Sequence, residues 1–207
     1  MRTFIAIELP KEIKDALASL QKQLITSGAD VKWVKPENIH LTLKFLGERD
    51  DKKLEKIAAI LEEVAKNKNV FAAGISSIGA FPGLSAPRII WIGIGKGDSE
   101  TKEIVRELEE KIALIGIPKE TKPFSSHITI GRTRSNLNRE KLVQAMNDLA
   151  GKFGQENLAL HKSLAGQSAD YCSGLEFLVT KITLFKSTLT PKGPIYEILK
   201  EGSLKTA

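Results

Sequence analysis

The 207-residue chain is long enough to bury a substantial core, because 42% of its residues are hydrophobic. Its 31 Lys and Arg outnumber its 25 Asp and Glu, and the formal charge of +6 favours a polyanionic partner without identifying one. The single cysteine, Cys172, excludes an internal disulfide framework and suits a reducing compartment. The sequence contains no run of about 18 apolar residues of the kind that would predict a membrane span. We therefore expect a cytoplasmic protein.

Hydrophobic periodicity predicts strands that alternate with amphipathic helices in the first half of the chain. Residues 2–9 carry the apolar side chains of Phe4, Ile5 and Ile7 and end at Pro10, which predicts a strand. A second strand is predicted over residues 39–46. The helix after each strand is predicted from apolar residues at helical spacing. These residues are Ile13, Leu17, Leu20 and Leu24 in the first helix and Leu54, Ile57, Leu61 and Val64 in the second.

The rest of the chain contains a similar succession of elements. Strands are predicted over residues 70–80 and 88–95, on either side of a turn-rich stretch. A helix follows, and its apolar stripe is formed by Ile104, Leu108, Ile112 and Ile115. The remaining predicted elements are a strand at 126–131, a helix after Asn138, and strands near 177–186 and 194–199. No element is assigned to residues 151–174. The similar order of the two halves predicts two related α+β lobes that share a cleft within one domain, residues 1–207.

A repeated His-x-Thr motif is the most informative feature of the sequence. The segment HLTL, which begins at His40, recurs as HITI, which begins at His127. Side chains two residues apart in a strand share a face, so His40 lies beside Thr42 and His127 lies beside Thr129. If the lobes pack face to face, the two pairs converge. One imidazole can then accept a proton from water while the other donates one to a leaving oxygen, and the hydroxyls can bind phosphate oxygens.

A structural explanation of the motif also exists. Threonine favours strands and a lone histidine is usually structural, so a single His-x-Thr segment is best explained as a strand with a polar face. Two copies in matching strands of a chain with three histidines favour a function. The third histidine, His161, has no threonine partner and is predicted to be a surface or structural residue.

These motifs and their order resemble the two-histidine (2H) phosphoesterase superfamily, in particular its bacterial and archaeal RNA 2′,3′-cyclic phosphodiesterases, which have also been described as 2′-5′ RNA ligases. The segments that carry the resemblance are FIAIELP at 4–10, NIHLTLKFLGE at 38–48, PRIIWIGI at 87–94, KPFSSHITIGR at 122–132 and LFKSTLTPKGPIYEIL at 184–199. The resemblance implies a bilobal α+β fold with two pseudo-symmetric lobes. Each lobe would have an antiparallel sheet and flanking helices, with the motifs facing one another across a cleft between the sheets.

The resemblance also implies roles for individual residues and no metal or cofactor. His40 would be the proton donor to the departing ribose 3′ oxygen, and His127 would be the acceptor that activates water. Thr42 and Thr129 would hold the phosphate. On geometry alone, either histidine could take either role. A contact with the substrate is further implied for Arg132, Phe45, Leu43 and Ile130.

Strand alternation leaves two of these contacts open. Phe45 shares the predicted face of Leu43, so it is expected in the core unless the strand bulges and turns it towards a base. Lys44 falls on the histidine face by the same count and would add positive potential to the cleft. Arg132 either reaches the phosphate or remains a surface charge.

The sequence therefore predicts an enzyme that hydrolyses the 2′,3′-cyclic phosphate of an RNA end, or of a small cyclic nucleotide, to a 2′-phosphomonoester. It would act as a monomer and without metal. ATP-independent joining of RNA ends through a 2′-5′ bond is an alternative, because microscopic reversibility permits it at the same site. A non-catalytic module that holds RNA ends is another. The paired histidines disfavour this module, since binding alone needs no proton-transfer groups.

Overall fold

A computed structural model describes residues 1–155, 175–191 and 193–206 of the chain. The elements in chain order are β1 (Arg2–Glu8), α1 (Lys11–Ile25), β2 (Val31–Trp33), a 3₁₀ turn (Pro36–Asn38), β3 (His40–Glu48), α2 (Asp51–Lys66), β4 (Phe71–Phe81), β5 (Ile89–Ile94), α3 (Asp98–Leu114), β6 (His127–Thr133), α4 (Arg139–Gln155), β7 (Glu176–Val179), β8 (Lys181–Thr190) and β9 (Gly193–Ser203). The predictions for His161 and Cys172 lie outside the described residues. Within them, no helix combines the length and apolar character needed to cross a membrane.

The strands form one curled antiparallel sheet in the order β7-β4-β5-β6-β3-β1-β8-β9, and β2 pairs with β6. Strands β3 and β6 lie at the centre and are joined where Leu41 is opposite Ile128. The order on the two sides of this pair is equivalent, since β3 is followed outward by β1, β8 and β9, and β6 by β5, β4 and β7. The predicted α+β class with two related halves is confirmed. The two motif strands are neighbours in one sheet, so the expected cleft corresponds to the concave face of that sheet.

The other face of the sheet packs against the helices through aliphatic side chains. Leu41 and Ile128 are completely buried in this core. The predicted helix stripes are buried with them except for Ile115, which follows the end of α3 and is only partly buried. The buried members are Ile13, Leu17, Leu20, Leu24, Leu54, Ile57, Leu61, Val64, Ile104, Leu108 and Ile112. Burial of one such side chain contributes about 1.5–3 kcal/mol to folding. The hydrophobic core therefore fixes the face on which the motif histidines remain accessible.

The C-terminal strands differ from the prediction. The apolar stretch expected as one strand over 177–186 is divided at Thr180 into β7 and β8. Strand β7 pairs with β4, whereas β8 pairs with β1 on the opposite side of the sheet. Strand β9 then forms a hairpin with β8. Periodicity did not indicate this division, because both strands are apolar and the chain changes its pairing partner rather than its secondary structure.

A β-bulge interrupts β3 immediately after the first motif. Ala6 of β1 is opposite Thr42, and the next residue, Ile5, is opposite Lys44. Leu43 is therefore an extra residue on β3, and it shifts the alternation of side chains by one position. Beyond the bulge, Phe45 is 58% exposed.

Strand β6 has a bulge at the equivalent position. Trp91 of β5 is opposite Thr129, and Ile90 is opposite Gly131, so Ile130 is the extra residue. In both strands, the third residue after the motif threonine therefore lies on the same face as the histidine. The two residues at this position are Phe45 in β3 and Arg132 in β6, and both are exposed.

Candidate active site

The four predicted motif residues come together on the concave face of the sheet. Leu41 is opposite Ile128 in the antiparallel pair of β3 and β6, so the continuation of this register places His40 opposite Thr129 and Thr42 opposite His127. Each imidazole is consequently next to the threonine of its own strand and the threonine of the neighbouring strand. A local two-fold axis through the Leu41–Ile128 pair relates His40 and Thr42 to His127 and Thr129.

Both imidazoles are held in the same way by the backbone. The Nδ1 atom of His40 is 2.8 Å from the carbonyl oxygen of Asn38, and the Nδ1 atom of His127 is 2.7 Å from the carbonyl oxygen of Ser125. A carbonyl oxygen can only accept a hydrogen bond, so Nδ1 donates in each case. The neutral ring then has its lone pair on Nε2. Each histidine is thus prepared to exchange a proton through Nε2.

Aromatic side chains surround each histidine. Phe4 stacks on the ring of His40 at a centroid distance of 4.8 Å, and the edge of Tyr196 meets it at 5.4 Å. Phe81 packs edge to face against His127 at 5.0 Å, with Trp91 at 6.3 Å. These contacts fix the orientation of the rings and remove water from around them.

The aromatic surroundings explain the electrostatics of the histidines. Burial lowers the pKa of His40 to about 4, although the hydrogen bond to the Asn38 carbonyl opposes this effect, and the charge of Lys14 lowers the pKa further. Burial also lowers the pKa of His127, and the positive charge of Arg132 acts in the same direction. Both rings are therefore neutral near pH 7 in the free protein.

The low pKa of His40 predicts a loss of stability in acid. The unfolded chain binds a proton to His40 near its ordinary pKa of 6.5, whereas the folded protein binds it near 4. Stability is therefore fully present above pH 6.5 and is lost as the pH falls towards 4, by about 3 kcal/mol between pH 7 and 4. Urea unfolding of the wild type and of His40→Gln at pH 7 and pH 4 measures this loss of stability. The carboxylates titrate in the same way in both proteins, so the difference between the proteins reports the contribution of His40. An equal pH dependence of the two proteins would contradict the prediction.

The residues that follow the motifs divide into two groups. Phe45 and Arg132 lie on the histidine face, as the bulges require, and Arg132 is close enough to His127 to lower its pKa. Leu43 and Ile130 are 3% and 0% exposed and belong to the core. The backbone carbonyl of Ile130 is also occupied, since it accepts a hydrogen bond from Gln21 Nε2. The expectation of a substrate contact is therefore wrong for the side chains of Leu43 and Ile130, which serve as the extra residues of the bulges.

Lys44 is also placed differently from the prediction. Its side chain is 1% exposed and lies on the core side of β3, where Nζ contacts Oε1 of Glu109 at 2.7 Å. The same Nζ donates to the carbonyl oxygen of Pro118 at 3.3 Å. Lys44 therefore adds no positive potential to the cleft, because the bulge turns it towards α3.

Four aromatic residues of the site were not selected from the sequence. Phe4, Phe81, Trp91 and Tyr196 come from four different strands, and their convergence on the histidines depends on the pairing of those strands. Phe4, Trp91 and Tyr196 belong to segments that carry the family resemblance, which is the signal that could have identified them. Burial raises the pKa of the Tyr196 phenol, although the charges of Arg132 and Arg2 act against this effect.

Comparison with known proteins identifies the family. A model described as LigT like Phosphoesterase matches residues 7–91. The chain is 36% identical over 201 residues to the RNA 2′,3′-cyclic phosphodiesterase of Methanocaldococcus jannaschii, covering 97% of this chain and 99% of the relative. It is 32% identical over 200 residues to the protein of the same name from Archaeoglobus fulgidus, covering 97% and 98%.

A solved structure supports the same relationship. The crystal structure of TT0787 of Thermus thermophilus matches with a TM-score of 0.75 and 29% identity, covering 100% of this chain and 99% of that one. This full-length similarity in sequence and fold agrees with the presence of both His-x-Thr motifs on the central strands. The chain therefore belongs to the LigT-like, two-histidine phosphoesterase family and is a phosphodiesterase.

Proposed function

We propose that this enzyme hydrolyses the 2′,3′-cyclic phosphate at the end of an RNA to a 2′-phosphomonoester, without a metal ion. The observation that carries the proposal is the pair of imidazoles on one face of the sheet, each held through Nδ1 and each beside two threonines. The relatives from M. jannaschii and A. fulgidus are named RNA 2′,3′-cyclic phosphodiesterases, which supports the substrate class.

The two histidines have complementary roles in the proposed reaction. His127 accepts a proton from water through Nε2 as the water oxygen attacks phosphorus. The bond between phosphorus and the ribose O3′ breaks, and protonated His40 donates its Nε2 proton to that oxygen. The product carries a 2′-phosphate and a free 3′-hydroxyl. If the 5′-hydroxyl of a second RNA takes the place of water, His127 accepts its proton and His40 again protonates the departing O3′, which joins the two RNAs through a 2′-5′ bond.

The remaining cleft residues bind the phosphate and the base. The hydroxyls of Thr42 and Thr129 donate hydrogen bonds to the non-bridging oxygens, and the guanidinium of Arg132 neutralises their charge. The bound anion raises the pKa of the neighbouring imidazoles, which favours the protonated form of His40 in the complex. Phe45 offers its exposed ring as a stacking surface for the terminal base.

Product identity tests the proposal directly. An RNA oligonucleotide with a 2′,3′-cyclic phosphate end should be converted to the 2′-phosphate with an unchanged rate in excess EDTA, because the histidines perform the proton transfers. Mass spectrometry and digestion with a phosphatase specific for 3′-phosphates identify the product, and a denaturing gel detects any joined RNA. A 3′-phosphate product, loss of activity in EDTA, or binding without turnover would each contradict the proposal.

A further inference from the structure

A groove of about 480 Å³ begins at His40 and extends across β1 to the β8–β9 hairpin. The rings of Phe4 and Tyr196 and the side chain of Ile198 line its apolar part, and Ile198 is 52% exposed. Lys14 of α1 also lines the groove, near His40. The volume is within the range of pockets that bind one small organic ligand. The proposed mechanism uses none of this space beyond His40 itself.

The covalent structure of a ribonucleotide relates this groove to one side of the substrate. The O3′ atom is attached to C3′, and C3′ is bonded to C4′, which carries C5′ and the rest of the RNA chain. The O2′ atom is attached to C2′, which is bonded to C1′ and thus to the base. If His40 faces O3′, the 5′ side of the terminal ribose lies on the side of His40. The RNA chain then leaves the catalytic centre where the groove begins.

The charges of the groove suit a strand with one linking phosphate. Its carboxylates each have a lysine partner, since Glu8 lies 3.7 Å from Lys181 and Glu37 lies 4.0 Å from Lys35. Lys14 has no carboxylate partner within the described part of the chain, and its Nζ makes a long contact of 3.5 Å with the backbone carbonyl of Glu37. Its charge nevertheless reaches the active centre, where it lowers the pKa of His40. Lys14 is therefore available as a cation at the junction between His40 and the groove.

We infer that the groove binds the nucleotide that precedes the cyclic end, with Lys14 on the linking phosphate and the apolar floor under the preceding nucleoside. This inference rests on the proposed function and adds a specificity for RNA strands over cyclic mononucleotides. The apolar side chains supply contact area for a ribose and a base, which have apolar faces and polar edges. The site is separate from Phe45, which does not line the groove.

Two substrates with the same reacting group test the inference. Uridine 2′,3′-cyclic phosphate fills only the catalytic centre, whereas a tetrauridylate with a 2′,3′-cyclic end also extends into the groove. Lys14→Gln should lower the ratio of kcat/KM for the tetranucleotide to kcat/KM for the mononucleotide about 5- to 10-fold. The accompanying change in the pKa of His40 affects both substrates alike and cancels in this ratio. Because a phosphate contact on a single strand contributes about 0.7 to the slope of log affinity against log salt, the variant should also lose about 0.7 of that slope for the tetranucleotide.

A second variant tests the apolar part of the groove. Ile198→Glu places a carboxylate on its floor and should lower the same ratio of kcat/KM values about 10-fold. Lys22→Gln, at the other end of α1, and Leu189→Glu, at an exposed position of the same hairpin that does not line the groove, are the matched controls. Both controls should leave the ratio of the two substrates unchanged.

The outcomes separate this inference from the proposed function. A selective loss on the tetranucleotide in Lys14→Gln and Ile198→Glu, but not in the controls, supports the groove as a strand site. Turnover of both substrates with the same ratio in all five proteins overturns the inference and leaves the proposed function intact. Failure of the wild type to open either cyclic phosphate overturns both.

Discussion

His40→Ala and His127→Ala should each lower kcat by about 10²- to 10⁴-fold, which is the range for loss of a positioned general acid or base. The affinity for the substrate should change much less, because the threonines and Arg132 remain in place. Rapid-quench measurements on a saturating nucleoside 2′,3′-cyclic phosphate give kcat, and equilibrium binding of the 2′-phosphate product gives the affinity. His161→Ala, which removes the third histidine, is the matched control and should keep the wild-type rate.

The pH dependence of kcat distinguishes the two roles. The wild-type rate falls at high pH when the acid loses its proton and at low pH when the base gains one. His40→Ala should therefore lose the fall at high pH, whereas His127→Ala should lose the fall at low pH. If instead His40→Ala loses the fall at low pH and His127→Ala loses the fall at high pH, the two roles are exchanged. Full activity of either variant would remove that histidine from the mechanism.

Lys44→Ala should lower the free energy of unfolding by about 3–5 kcal/mol, the cost of breaking a buried ion pair by removing one partner. The side chains of Lys44 and Glu109 are only 1% and 13% exposed, so the carboxylate would lose its counter-charge in a largely dry environment. The carbonyl of Pro118 would also lose its donor. Urea unfolding with a constant m-value measures this change.

Two further variants define the origin of this effect. Lys44→Met combined with Glu109→Leu removes both charges and keeps the volume, so it should recover most of the lost stability. Lys96→Ala breaks an ion pair with Glu176 in which both side chains are about half exposed, and it should change the stability by less than about 1 kcal/mol. A loss of stability in the double variant as large as that of Lys44→Ala would show that packing, rather than the unpaired charge, is responsible.

The sequence predicted the parts of the fold that depend on local periodicity. The apolar stripes of α1, α2 and α3 are buried as expected, because positions three and four residues apart share one face of a helix whatever lies opposite. The side-by-side placement of His40 and Thr42, and of His127 and Thr129, followed in the same way from the two-residue period of strands. These are properties of a segment alone, and the segment contains the information needed to predict them.

Features that depend on the partner of a segment were not predictable in this way. Strict alternation predicted that Lys44 lies in the cleft and that Phe45 lies in the core unless the strand bulges. The bulge at Leu43 instead places Lys44 on the core side and Phe45 on the histidine face. A bulge is recognised only when the residues opposite it are known. The same limit applies to the sheet, since periodicity shows which face of β3 is apolar but not that β6 lies next to it. The aromatic rings around the histidines were missed for this reason.

The Leu41–Ile128 pair determines how the candidate site is assembled. Each half of the polypeptide supplies one ring and one hydroxyl, so neither half holds a complete set of proton-transfer groups. The set is therefore complete only when β3 and β6 pair. The two rings differ in their surroundings, since Phe4 and Lys14 act on His40 whereas Phe81 and Arg132 act on His127.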